Sequence, residues 1–147
     1  MSRLQQALGS GSILLGQSAD DWQHAVGLAG EALVASGRTL PAYTQAMIHT
    51  VLELGPYIVI APGLAMPHAR PDASVLETGM SLVVLSEPVE FGHKKNDPVR
   101  LVFGLAALDH DKHLELLSEF AGKFSQPDFV KSVLSCSTEA EIRKLFE

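Results

Sequence analysis

The chain has a single cysteine, Cys136, and a single tryptophan, Trp22, among 147 residues. One thiol excludes an internal disulfide, and its setting in the polar stretch LSCSTEAE reads as an incidental or buried side chain and not a nucleophile. Long apolar runs are absent too: none approaches the roughly 18 to 20 residues that span a bilayer, so no direct membrane insertion is expected. Basic charge is scarce. Eleven Lys and Arg stand against 17 Asp and Glu, for a net charge of −6. Domains that bind nucleic acid need a basic stripe against the phosphate backbone, so no nucleic-acid partner is expected. An acidic chain can still hold a phosphate locally or dock on a basic protein surface. The opening MSRLQQALGSGSILLGQ has Arg3 but no sustained apolar segment with a cleavage-like end, which argues against export and for a cytoplasmic protein.

What is present reads as one domain over residues 1–147, with strands and helices alternating and no linker. A short amphipathic piece at residues 2–8 and a Gly9–Gly11 turn lead to SILL, a strand. Ser18-Ala-Asp-Asp opens a helix with Asp20 as its cap, over residues 22–36. There Trp22, Val26, Ala29, Leu33 and Val34 recur at helical spacing, and Gly37 supplies the stop. A second helix starts at Pro41, carries Tyr43, Ala46, Met47, Val51 and Leu54 inward, and breaks at Gly55-Pro56. Residues 57–60, 80–85 and 99–108 are continuous apolar runs, which fit strands covered on both faces. The fold class is therefore α/β: a three-layer α/β/α sandwich with a mixed central sheet flanked by helices. Asp109 caps the helix HDKHLELLSEFAGKF, Pro127 starts a short helix, and Thr138 with Glu141 three residues on forms a capping box for the last.

Six histidines carry most of the chemistry. His24 lies within the first long helix and reads as structural. His93, in the turn GHKKND, reads as a solvated loop side chain. His49 sits in the second helix, at its exposed or half-buried side. His68 differs from these. It stands in IAPGLAMPHARP, a loop in which Pro67 fixes φ just before it and Met66 is biased to extended backbone. His110 and His113 follow another strand, three residues apart in the first turn of a helix. Sites in open α/β sheets gather at the carboxyl ends of strands, so these segments can meet there.

A helix N-terminus attracts anions and disfavours imidazolium, so a histidine beside it stays neutral and nucleophilic. His68 held in that position could attack a phosphoryl group while a second histidine and backbone donors hold the phosphoryl oxygens. Phosphoryl transfer depends on positioning and charge stabilisation, which a proline-stiffened loop provides. A competing reading uses His68, His110 and His113 as zinc ligands. No carboxylates stand where such a site's supporting shell would need them.

The segment from Glu53 through LGPYIV and Ile60 to APGLAMPHA resembles the phosphorylation-site signature of the mannitol/fructose type of enzyme IIA of the bacterial sugar phosphotransferase system. That signature is an acidic or amide residue ahead of a small-x-x-aliphatic-Ala-aliphatic-Pro-His-small core. The resemblance runs over nearly the whole chain, through YTQAM, SLVVLSEPVEF, DPVRLVFGLAA and the helix with a second histidine. GPYIVIAPGLAMPHARP and the FxHxxNDPV pattern from Phe91 to Val99 are most similar to the ascorbate-specific branch.

The resemblance implies that His68 is the phosphorylated histidine and that His113, in DKHLELL, sits against the phosphoryl group, with His110 the lesser candidate. It implies receipt of phosphate from the histidine-containing phosphocarrier protein, transfer to a cysteine of enzyme IIB serving membrane enzyme IIC, and no metal or organic cofactor. Members of the mannitol type also bring an arginine from the second helix to the site, whereas this chain reads AMIHTVLE there. Arg70, whose planar fork suits phosphate, is the preferred replacement and His49 the other. The same family fold also serves regulatory proteins in which phosphorylation reports status without feeding a transporter, and that remains the alternative function.

Overall fold

Met80, Leu82 and Val84 turn to one side of a strand and Val83 and Leu85 to the other, and all are buried. A strand apolar on both faces needs a helical layer on each, and the computed structural model, which describes residues 2–147, supplies them. The strands are β1 (Ile13–Gln17), β2 (Val59–Ala61), β3 (Leu64–Ala65), β4 (Gly79–Val89) and β5 (Val99–Ala106). They form one sheet in the order β1-β4-β5-β3-β2. β1 runs parallel to β4 and β3 parallel to β5, whereas β4–β5 and β2–β3 are antiparallel. The expected mixed sheet is there.

Helices α2 (Trp22–Ala35) and α3 (Pro41–Leu54) cover one face. Their Ala29, Leu33, Tyr43, Met47 and Val51 pack on Val83, Leu85, Val102 and Ala106. The two helices approach closely because Gly30 faces Thr44: a Cβ on Gly30 would lie 2.2 Å from the Thr44 hydroxyl oxygen. The other face is covered by α1 (Arg3–Ala7), α4 (His110–Phe124), α5 (Phe129–Leu134) and α6 (Glu139–Lys144). Phe103 from β5 is its centre, ringed by Phe120, Phe129 and Phe146 at centroid distances of 4.6, 6.1 and 6.1 Å. Burying each such ring contributes about 2 to 3 kcal/mol.

Local chemistry differs from the sequence reading in a few places. Asp21, not Asp20, caps α2: its backbone is extended and its carboxylate accepts from the His24 N–H at 2.8 Å. The run at residues 57–60 is not one strand. Tyr57 lies outside the sheet, and Pro62-Gly63 makes a two-residue turn that folds IAPGLA into the β2–β3 hairpin. Thr138 caps α6 as expected, its hydroxyl accepting from the Glu141 N–H at 3.2 Å. The Glu141 carboxylate reaches back to the N–H of Ser137, one residue before the usual partner.

Candidate functional site

β3 and β5 are parallel, with Leu64 beside Leu101 and Ala65 beside Val102, so both point their carboxyl ends the same way. His68 follows β3 by three residues and α4 starts soon after β5, which brings the two sequence segments to one edge of the sheet. The His68 and His113 rings meet there, with centroids 5.3 Å apart and planes tilted by 43°. Their meeting, expected from the strand order of the sequence, follows from this parallel pairing.

The backbone on both sides of His68 is held. The Met66 N–H donates to the Ile58 carbonyl at 2.8 Å, and the Pro67 carbonyl accepts from the Leu105 N–H at 3.0 Å. The Ala69 N–H donates to the Tyr43 hydroxyl at 3.0 Å, and that hydroxyl donates to the Leu105 carbonyl at 2.6 Å. Tyr43 is wholly buried, and burial pushes its hydroxyl up to about 12, so it remains a neutral donor. Sequence reading took Tyr43 as core filling. The signal for more was a tyrosine where phenylalanine would pack equally well.

Within this frame His68 Nδ1 lies 2.9 Å from the Met66 carbonyl oxygen. A carbonyl only accepts, so Nδ1 carries the proton and Nε2 keeps a free lone pair. His113 is half-buried, and burial, followed by the positive charges that His68 and His110 would carry, lowers its pKa from the ordinary 6.5. Burial and the neighbouring like charges both disfavour the imidazolium form of His113, and its neutral ring is the form that can accept or share a proton.

His110 is the exposed first residue of α4 and is near enough for its charge to be felt at His113. Asp109 caps α4, its carboxylate accepting from the Lys112 N–H at 2.8 Å. Arg70 is exposed, with no hydrogen bond or ion pair among the described residues. His49 lies on the outer side of α3, where its Nε2 is 2.9 Å from the Glu53 carboxylate and its neighbours are Gln45, Ile48 and Leu52. Tyr57 was missed from sequence and stands against His68, edge to face at 5.8 Å and 82°. Among the described residues no group of three or more His, Cys, Asp or Glu side chains has the geometry to hold a metal ion.

Fold and site together define an α/β protein with a histidine pair at the carboxyl ends of two parallel strands. Residues 6–147 match the family described as the phosphoenolpyruvate-dependent sugar phosphotransferase system, EIIA 2, and the chain belongs to that family. It is therefore a phosphoryl-transfer component of a sugar phosphotransferase system. It is 42% identical over 137 residues to the ascorbate-specific phosphotransferase EIIA component of Escherichia coli K12, covering 92% of this chain and 89% of that protein. The solution structure of the cryptic mannitol-specific enzyme IIA CmtB of Escherichia coli superposes with a TM-score of 0.87 at 32% identity, covering 99% and 98% of the two chains. Mannitol enzyme IIA of Escherichia coli, solved in complex with phosphorylated mannitol enzyme IIB, gives 0.82 at 29% identity, covering 95% and 96%. No helix of the described residues is long and apolar enough to cross a membrane.

Proposed function

We propose that this protein accepts a phosphoryl group on Nε2 of His68 from the histidine-containing phosphocarrier protein and passes it to a cysteine of enzyme IIB, serving ascorbate uptake through membrane enzyme IIC. The observation that carries the reading is the hydrogen bond from His68 Nδ1 to the Met66 carbonyl, which leaves Nε2 as the nucleophilic nitrogen. In the first step the Nε2 lone pair attacks phosphorus. The bond from phosphorus to the donor's histidine nitrogen breaks, and that nitrogen keeps the electron pair. In the second step a cysteine thiolate of enzyme IIB attacks the same phosphorus, and the P–N bond breaks with its pair returning to Nε2. Nδ1 holds its proton on Met66 throughout.

His113 stabilises the phosphoryl oxygens from beside the ring, and the start of α4, at His110, adds backbone donors. Arg70 is the unpaired cation in the active loop and supplies the charge that the second helix lacks. His49 is engaged by Glu53 and takes no part in this reading. Leu108 and Leu114, 52% and 49% exposed, give partner proteins an apolar surface near the histidines. The ascorbate assignment rests on the 42% identity to the ascorbate-specific relative.

Incubation with phosphoenolpyruvate, enzyme I and the phosphocarrier protein should label the protein with an acid-labile phosphate. His68→Ala should abolish the label, and labelling to the wild-type extent in that variant would remove His68 from the reaction.

A further inference from the structure

We infer that Tyr57 is a positioning residue for the transfer: its ring is one wall of a clamp that, with His113 and the Met66 carbonyl, fixes the plane of the His68 imidazole so that Nε2 faces the incoming phosphorus. The inference rests on His68 as the acceptor, as proposed above.

A single hydrogen bond at Nδ1 ties one corner of the imidazole and leaves the far side, where Nε2 lies, to be restrained by packing. Two rings provide that packing. His113 approaches at 5.3 Å with a 43° tilt, and Tyr57 at 5.8 Å and 82°, the edge-to-face geometry that aromatic quadrupoles prefer. The local backbone sets where Tyr57 stands. Gly55, with φ at +86°, ends α3 in a conformation other residues rarely adopt. Pro56 then restricts the next φ, and its carbonyl accepts from the Val59 N–H at 3.0 Å, closing a turn around Tyr57 and Ile58.

Ile58 completes the link. Its carbonyl accepts from the Met66 N–H at 2.8 Å, and Met66's own carbonyl holds His68 Nδ1 at 2.9 Å. The residue beside Tyr57 is thus bonded to the residue that anchors the histidine, so the wall and the anchor move together. Tyr57 is near enough to the buried Tyr43 for its charge to be felt there, after burial and the Asp72 carboxylate, in raising the Tyr43 pKa, and burial of part of its own ring pushes the Tyr57 hydroxyl up. It is a side chain turned into the site although 44% of it faces solvent.

A residue that only touches partner proteins would act on KM. A positioning residue acts on kcat and on the histidine itself, before any partner arrives. In Tyr57→Leu, phosphorylation by the phosphocarrier protein should show kcat lowered roughly three- to tenfold with KM unchanged, the size of one aromatic pairing. Tyr57→Phe keeps the wall and should stay within about twofold of wild type. In the isolated proteins, nitrogen-15 chemical shifts of His68 should report a dominant Nδ1–H tautomer in wild type and Tyr57→Phe, and a mixture of tautomers in Tyr57→Leu. Should Tyr57→Leu fold poorly by circular dichroism, Tyr57→Met takes its place. Wild-type kcat in the Leu or Met variant overturns the inference, as do a raised KM with kcat intact, an unchanged His68 spectrum, or a Phe variant as impaired as Leu. A wild-type protein that takes no phosphate refutes the acceptor reading instead, and the tautomer measurement still decides on the clamp.

Discussion

His113 responds to two things at once: partial burial, which penalises its charged form, and the positive charges His68 and His110 would carry. Its folded pKa lies below 6.5, so between the folded and ordinary values the unfolded chain binds more protons than the folded one. Its contribution to stability is therefore complete above pH 6.5 and is lost as pH falls through the lowered value. Replacing it, as in His113→Gln, should flatten the fall in melting temperature as pH drops from 6.5 to the lowered value. Under the proposed function, a phosphoryl group on His68 would reverse the local sign by bringing close to two negative charges beside His113. In nitrogen-15 NMR titrations the His113 midpoint should then move up. A midpoint identical in the loaded and unloaded proteins would mean that the two rings do not share a site. The histidines themselves were legible because titratable side chains after strands are conspicuous. Tyr43 and Tyr57 were not: one works through backbone atoms of other segments, and the other through a ring contact set by the turn at Gly55.

The loop between β4 and β5 shows how an element is built around one carboxylate. Asp97 accepts from the N–H groups of Phe91, Gly92 and His93 at 3.0, 2.8 and 3.1 Å. His93, read from sequence as a solvated side chain, is half-buried and uses Nδ1 to accept from the Lys95 and Asn96 N–H groups at 3.2 and 3.0 Å. Asn96 then grips the β2–β3 hairpin: its amide donates to the Val59 carbonyl at 3.1 Å and its carbonyl accepts from the Gly63 N–H at 3.0 Å. The FxHxxNDPV pattern is thus a clasp on the hairpin that leads into the His68 loop. Asp97→Ala leaves three backbone donors without their acceptor and should cost about 2 to 4 kcal/mol in denaturant unfolding. A cost under about 0.5 kcal/mol, the usual range of a surface substitution, would show that the loop re-forms on water. Long elements such as α2, α3 and β4 were readable because their periodicity is repeated over many residues. The hairpin and the α2 cap were not, because two strands of two or three residues carry no period and Asp20 and Asp21 offer the same side chain. The choice between them is made by which backbone is extended.

At the scale of the molecule, two separate cores share one sheet. Trp22 and Phe91 belong to the α2–α3 side, with ring centroids 6.3 Å apart, and Phe103 belongs to the other. β4 and β5 send alternate residues into each, so neither core survives without the strands that the other holds in place. Phe103→Ala should cost about 3 to 5 kcal/mol as a cavity opens among Phe120, Phe129 and Phe146. Because the chain has one tryptophan, its fluorescence reads the opposite side alone. The denaturation midpoint by fluorescence should fall in step with that by far-ultraviolet circular dichroism. If the fluorescence midpoint stays at the wild-type position, the layers unfold independently.

The pinned backbone around His68 has one further consequence. With Met66, Pro67 and Ala69 each bonded to another segment, the proposed phosphorylation at His68 should leave the outline that the protein presents to its partners unchanged. What would distinguish the loaded protein from the empty one is a pair of negative charges at a single nitrogen. A donor that must leave and an acceptor that must arrive are then sorted by the field of the surface and not by its shape, and that discrimination fades as salt shortens the reach of the field.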